Sequence, residues 1–156
     1  MRIADLKIND TVDCENGFCV SLWMQGCPHR CKGCHNPETW DFEGGYEIDK
    51  KDCLNKIIKA LTAYGIKRSL SILGGEPLCE ENINNTIFIL TEIKKLFPNC
   101  HTYVWTGYTI EQLQQKSWYN NLISAVDTLI DGPYIEELRD IRLPLRGSSN
   151  QRILNF

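Results

Sequence analysis

The sequence predicts an α/β fold, in the form of a partial, open (β/α) barrel with a curved, mainly parallel sheet. Predicted strands and helices alternate along the chain, which favours parallel strands joined by right-handed crossovers. The alternation supplies only four strand units, too few to close an eight-stranded barrel. The chain, residues 1–156, is interpreted as a single domain because its length suits one hydrophobic core and no repeat or linker interrupts it.

Five segments have the apolar alternation or the short apolar run that is typical of strands. They are residues 2–8, 17–25, 69–73, 101–105 and 126–130, with 152–154 as a further short candidate. In the second of them, Val20, Leu22 and Met24 alternate with other residues along one face. These segments supply the strands of the predicted sheet.

Three segments are predicted to be helical. Residues 49–64 and 81–97 repeat apolar side chains at helical spacing, and the first ends at a glycine and the second just before a proline. Thr109 and Gln112 have the spacing of a capping box, which predicts a shorter third helix. The tail from about residue 135 to 156 has no clear period, and we interpret it as facing either a partner or the site.

Residues with reactive or ligand-binding side chains follow the ends of four predicted strands. They are Cys27, Gly74, Thr106 and Asp131. Parallel α/β folds bind ligands at the carboxyl ends of their strands, so we expect these positions to meet in one site. Strand-end Thr106 and Asp131 can bind the ribose or a carboxylate of a ligand, or can be ordinary turn residues.

Cys27, Cys31 and Cys34 form the densest group of potential metal ligands, with the spacing C-x3-C-x2-C. Three thiolates from one loop can bind a four-iron cluster and leave one iron without a protein ligand. A zinc site is the alternative, with His29 or His35 as the fourth ligand, although structural zinc ligands more often come in two pairs. The other cysteines are interpreted as small buried hydrophobic residues: Cys14, Cys19, Cys53, Cys79 and Cys100.

Composition argues against several classes of function. A net charge of −3 and a pI of about 5.6 disfavour broad electrostatic binding to nucleic acid. No apolar run approaches the ~20 residues of a membrane-spanning helix, and the first residues do not form a signal-peptide core. We therefore expect a cytoplasmic protein that binds neither nucleic acid nor membrane.

The cysteine motif, together with Gly74-Gly75-Glu76 about 40 residues downstream, resembles the radical S-adenosylmethionine (radical SAM) enzymes. The resemblance implies a barrel of the radical SAM type and a [4Fe–4S] cluster held by the three cysteines. It also implies that S-adenosylmethionine binds the open iron, that Gly74, Gly75 and Glu76 contact its methionine amino group, and that the Gly33–His35 stretch contacts its adenine. His35 can instead be a surface residue of the loop.

Four segments make a narrower resemblance: Trp23–Trp40, Gly74–Leu78, Asp131–Tyr134 and Arg146–Arg152. They are similar to the activating proteins of anaerobic ribonucleoside-triphosphate reductases, which are glycyl-radical-enzyme activases. The resemblance implies reductive cleavage of S-adenosylmethionine and formation of a glycyl radical on the large subunit of an anaerobic (class III) ribonucleotide reductase. It also implies a low-potential electron donor such as flavodoxin.

Two other classes of function stay open at this point. A different small radical SAM enzyme would act on a small molecule and would need a built-in substrate pocket, for which the sequence offers no extra segment. An iron–sulfur or zinc carrier would need a fourth protein ligand. The short chain favours the activase, because a large protein substrate can itself close the site.

Overall fold

The computed structural model describes all 156 residues, which form one seven-stranded sheet and four helices. The strands are β1 (Arg2–Asp10), β2 (Phe18–Met24), β3 (Tyr46–Glu47), β4 (Arg68–Gly74), β5 (Thr102–Trp105), β6 (Thr128–Asp131) and β7 (Arg152–Asn155). The helices are α1 (Lys50–Leu61), α2 (Ile83–Leu96), α3 (Ile110–Leu113) and α4 (Tyr119–Ile123). All the predicted strands and helices are confirmed, whereas β3 and α4 have no counterpart in the prediction.

The prediction of a partial (β/α) barrel of the radical SAM type with a mainly parallel sheet is wrong. The sheet is mixed, in the order β3-β1-β2-β4-β5-β6-β7. The four central strands run parallel, but β1 pairs antiparallel with both β2 and β3, and β7 pairs antiparallel with β6. The loop 11–17 between β1 and β2 is too short for a parallel crossover, which needs a dozen or more residues, so a hairpin is forced.

The helices all pack on one face of the sheet. Alternate residues of the central strands, such as Leu22, Ile72 and Val104, are fully buried against them. Each helix contributes apolar side chains to the same cluster of 22 buried residues, including Ile57 of α1 and Leu90 of α2. This face holds the hydrophobic core that stabilises the fold.

The opposite face of the sheet has no helical layer. A smaller cluster of Cys14, Cys19, Tyr103 and Ile130 lies there, covered by the β1–β2 loop and by the C-terminal segment. At the carboxyl ends of the parallel strands a cavity lies on this face, and residues of both covering segments, Asp13 and Leu145 among them, line it. Because the helices cover only one face of the sheet, the cavity lies on the other face.

Two helices begin at a capping residue. Asp49 caps α1, because its Oδ1 accepts hydrogen bonds from the backbone N–H groups of Lys51 (2.8 Å) and Asp52 (3.3 Å). Thr109 and Gln112 form the predicted capping box at α3. None of the helices is long and apolar enough to span a membrane.

Asp127 joins α2 to the start of β5. Its Oδ2 accepts hydrogen bonds from Lys94 Nζ and from the backbone N–H of Thr102 at 2.7 Å. Burial raises the pKa of Asp127, but the hydrogen bonds from Lys94 and Thr102 outweigh burial and leave this pKa below its ordinary value. The ionised carboxylate is thus the form that the fold stabilises.

We expect Asp127→Asn to lower the free energy of unfolding at pH 7 by about 1–3 kcal/mol, because Lys94 loses its charged partner. The folded-state pKa lies below the unfolded one, so the contribution is present above about pH 4 and is lost as the pH falls through the folded value. Urea unfolding of both proteins from pH 7 to pH 3 checks this. A difference that stays constant over that range would contradict it.

Candidate functional site

The loop that carries the three cysteines follows β2 directly and is closed at its base. Gly26 N–H donates to Thr39 O at 2.8 Å, and Cys27 N–H donates to Trp40 O at 3.1 Å. Gly26 has a φ of +93°, and a Cβ there would lie 2.3 Å from the Phe42 ring. Only glycine suits this position, which turns the chain out of the sheet into the loop.

The three cysteines line a cavity of about 370 Å³ at the carboxyl ends of the central strands. Burial raises the pKa of the Cys27 thiol to about 11 and also raises that of Cys31. These thiols are therefore protonated at neutral pH, and binding of a metal as thiolates would release protons. No three His, Cys, Asp or Glu side chains converge closely enough to hold a single metal ion.

The Gly74-Gly75-Glu76 turn packs directly against the start of the cysteine loop. Gly75 N–H donates to Met24 O and Glu76 N–H donates to Gly26 O, both at 2.8 Å. A Cβ on Gly74 would lie 2.8 Å from Met24 N, and one on Gly75 would lie 2.4 Å from Gly26 O. Both glycines line the cavity, but their lack of a side chain serves the close approach of two backbone segments.

The Glu76 side chain is almost fully buried, with 1% exposure, and its carboxylate accepts four hydrogen bonds. Oε1 accepts from Thr106 Oγ1 (2.7 Å) and from Leu78 N–H (2.9 Å). Oε2 accepts from Gly107 N–H (2.7 Å) and lies 2.9 Å from His29 Nε2. One carboxylate therefore joins the cysteine loop, the glycine turn and the end of β5.

His29 lies between the first two cysteines of the motif and is held on two sides. Besides its contact with Glu76, its ring lies edge-on to Tyr108, with ring centroids 4.5 Å apart. A Cβ on Gly107 would lie 2.6 Å from the ring. His29 thus connects the cysteine loop to the end of β5. The sequence analysis did not identify this role.

Two buried side-chain amides, those of Asn82 and Gln25, also hold the cysteine loop and the glycine turn together. The sequence analysis did not predict a role for either. Asn82 donates from Nδ2 to Gln25 O (2.9 Å) and to Glu76 O (3.0 Å). Gln25 donates from Nε2 to Glu38 O (3.0 Å) and to Asp41 O (2.7 Å). No sequence pattern singles out these two residues, because their role depends on burial beside backbone carbonyls that come from distant segments.

Most of the predicted site residues line the same cavity. They are Cys27, Cys31, Cys34, His35, Gly74, Gly75, Glu76 and Thr106. Gly33 is not among the lining residues and instead lies against Glu136, whose carboxylate occupies the place a Cβ would take. Asp131 is fully buried outside the lining, where it accepts hydrogen bonds from Arg152 Nε (2.9 Å) and Ile110 N–H (2.7 Å).

The C-terminal segment forms one wall of the cavity. Tyr134, Leu145, Gly147 and Gln151 all contribute to the lining. Gln151 fixes the segment, because its Oε1 accepts from Gly147 N–H at 2.9 Å and its Nε2 donates to Gly132 O at 3.2 Å. Leu145 O accepts from Trp105 Nε1 at 2.7 Å. The tail is thus an integral part of the site.

Three lining residues carry buried polar atoms with no hydrogen-bond partner: Asp13 Oδ2, Trp23 Nε1 and Trp40 Nε1. Burial, with a further contribution from the nearby Asp10, raises the pKa of Asp13 to about 6. Buried polar groups are normally paired, so unpaired ones around a cavity are expected where a ligand completes the site. The lining therefore fits a bound polar group.

Comparison with known proteins identifies the family of the chain. Residues 15–154 match a family model described as a 4Fe-4S single cluster domain, which places the chain in that class. An anaerobic ribonucleoside-triphosphate reductase-activating protein of Vibrio cholerae is 36% identical over 141 residues, covering 90% of this chain and 89% of the relative. Those of Haemophilus influenzae (36%; 94% and 93%) and Escherichia coli K12 (33%; 86% and 86%) are similar. The chain belongs to this family of activating proteins.

We expect Glu76→Gln to lower the free energy of unfolding by about 2–4 kcal/mol, because an amide cannot accept all four hydrogen bonds and leaves buried donors unpaired. Chemical unfolding of the purified protein measures the change. Glu137→Gln is the matched control, since Glu137 is 67% exposed and pairs only with Lys32, and should change stability by less than about 0.5 kcal/mol. Equal effects of the two substitutions would contradict a supporting role for Glu76.

Proposed function

We propose that this chain is a radical SAM activase that generates a glycyl radical on an anaerobic ribonucleotide reductase. The observation that carries the proposal is the shared cavity. The thiols of one short loop, the glycine turn and the end of β5 all line it, although they are far apart in sequence. This is the arrangement expected if one ligand contacts an iron–sulfur cluster and the strand ends together.

Cys27, Cys31 and Cys34 would hold a [4Fe–4S] cluster, each binding a different iron. The proposal needs one iron without a protein ligand. The Nε2 of His29 is engaged with Glu76, which leaves only its Nδ1 free toward a metal. When bound, the cluster supplies one electron for cleavage of S-adenosylmethionine to methionine and a 5′-deoxyadenosyl radical, which takes a hydrogen atom from a glycine of the partner.

Residues around the cysteines would bind and orient S-adenosylmethionine. Gly74, Gly75, Glu76 and Thr106 would face its methionine end, and the Gly33–His35 stretch its adenine. Glu76 would act mainly by holding in place the residues that contact its carboxylate, because that carboxylate already accepts four hydrogen bonds. Asp131 likewise would position the site indirectly, through Arg152 and the start of α3.

The names of the relatives support the choice of partner, since they are activating proteins of anaerobic ribonucleoside-triphosphate reductases. We extend this to the present chain and propose the large subunit of such a reductase as its substrate. A low-potential donor such as flavodoxin would supply the electron, in the cytoplasm. The whole chain would act as one domain, with residues 135–156 facing both the site and the partner.

The alternatives make different demands on the same cavity. A closed zinc site needs four converging ligands, and the cysteine loop does not present three that could share one ion. An electron carrier would bind its cluster regardless of S-adenosylmethionine. A small-molecule enzyme would act without any protein substrate.

The deciding experiment is low-temperature electron paramagnetic resonance (EPR) of the anaerobically reconstituted, reduced protein. We expect a [4Fe–4S]⁺ signal that changes when S-adenosylmethionine is added, followed by a glycyl radical signal once the reductase is present. A cluster signal indifferent to S-adenosylmethionine would favour the carrier. Bound zinc and no cluster would overturn the proposal.

We also expect Cys27→Ala, Cys31→Ala and Cys34→Ala each to abolish normal cluster assembly, measured as iron and sulfide content after reconstitution. Cys53→Ala is the matched control, because Cys53 is fully buried in α1 on the helical face of the sheet. It should retain the cluster at a modest cost in stability. A normal cluster in any of the first three variants would refute the ligand assignment.

A further inference from the structure

The two halves of the cysteine loop contact different parts of the molecule. In the first half, His29 contacts Glu76, whose carboxylate also accepts hydrogen bonds from the end of β5. In the second half, Gly33 and His35 lie against the C-terminal segment at residues 134–136. The cavity therefore has a hydrogen-bonded polar side next to Glu76 and a second side next to His35, and a single elongated ligand can contact both.

The second side of the cavity is aromatic. His35 and Tyr134 both line the cavity, and their ring centroids lie 5.3 Å apart with the ring planes inclined by 49°. No other two aromatic residues of the lining are in ring contact, because the ring partners of His29 and Trp105 lie outside it. Since the two rings are inclined rather than stacked, neither covers the face of the other. Exposed aromatic faces bind the planar bases of nucleotides by stacking.

The Tyr134 ring is fixed in relation to the cysteine loop. Its hydroxyl donates a hydrogen bond to Glu136 Oε2 at 2.7 Å, and this contact raises the pKa of Tyr134, so the phenol remains a donor at neutral pH. The Glu136 carboxylate in turn occupies the place that a Cβ on Gly33 would take. Tyr134 is only half-buried, so part of its side chain is open to solvent before a ligand binds. A ring held in this way needs little ordering when a base stacks on it.

We propose that Tyr134 stacks on the adenine of S-adenosylmethionine, and that this contact makes the cavity selective for ligands that carry a planar base. This role rests on the proposed function, in which the Gly33–His35 stretch faces the adenine while Glu76 and Thr106 face the methionine end. The C-terminal segment thus supplies a binding residue as well as a wall. The polar side of the cavity holds the other end of the same ligand.

The test measures equilibrium binding to the reconstituted, oxidised protein by anaerobic calorimetry, so that no cleavage takes place. The probes are S-adenosylmethionine, 5′-methylthioadenosine, which keeps the base but lacks the amino-acid end, and methionine, which lacks the base. Tyr134→Leu should weaken binding of the first two by about tenfold or more, because stacking on the base is lost, and should leave methionine binding within about twofold of wild type. Tyr134→Phe keeps the ring and should bind all three within about threefold of wild type.

Tyr46→Leu is the matched control, because Tyr46 lies on the edge strand β3 and does not line the cavity. It should bind all three ligands as the wild type does. Unchanged binding of S-adenosylmethionine by Tyr134→Leu would overturn the stacking role. Equal losses in the leucine and phenylalanine variants would also overturn it, because they would assign the effect to the hydroxyl and Glu136. Equal weakening of methionine binding would do the same, because it would reveal a disrupted cavity wall.

Tyr134→Met, which also removes the ring, takes the place of the leucine variant if that variant does not assemble its cluster. Failure of the stacking role is separable from failure of the proposed function. If the wild-type protein binds neither S-adenosylmethionine nor 5′-methylthioadenosine, the proposed function falls. If it binds both and Tyr134→Leu binds them equally well, the proposed function stands and Tyr134 is excluded as the base-binding residue.

Discussion

The arrangement of the site depends on one buried carboxylate. Glu76 is removed from water, and its carboxylate oxygens are satisfied by hydrogen bonds with Leu78, Thr106, Gly107 and His29. Those donors belong to the cysteine loop, to the residues after the glycine turn and to the end of β5. Because the carboxylate needs all of them, the three segments cannot move independently, and the cavity between them keeps its shape.

The rest of the site follows from backbone segments that approach this carboxylate closely. Gly74 and Gly75 allow the turn to touch the chain at Met24 and Gly26, and Asn82 donates hydrogen bonds to the carbonyls of Gln25 and Glu76 beside this contact. The two glycines thus serve the close packing of two backbone segments within the chain. The same two residues can still present their backbone to a ligand from the cavity side.

Local patterns predicted the elements but not their assembly. Helical and strand periodicities located the core elements to within a few residues, and the cysteine spacing located the loop that lines the cavity. The antiparallel pairing at the edges of the sheet was not predicted, because the direction of β1 and β7 depends on loop length and on contacts such as that of Arg152 with Asp131. The support by Gln25, Asn82 and His29 had no sequence signal, because each acts through partners that only the fold brings near.

The position of the C-terminal segment has a consequence for how the protein is made. Residues 134–151 form a wall of the cavity and are synthesised after every strand of the parallel sheet. While that segment is still within the ribosome, the nascent sheet can already fold around its helical core, but its other face stays open. The cysteine loop therefore stays accessible from that face until residues 134–151 have been synthesised and have folded onto it.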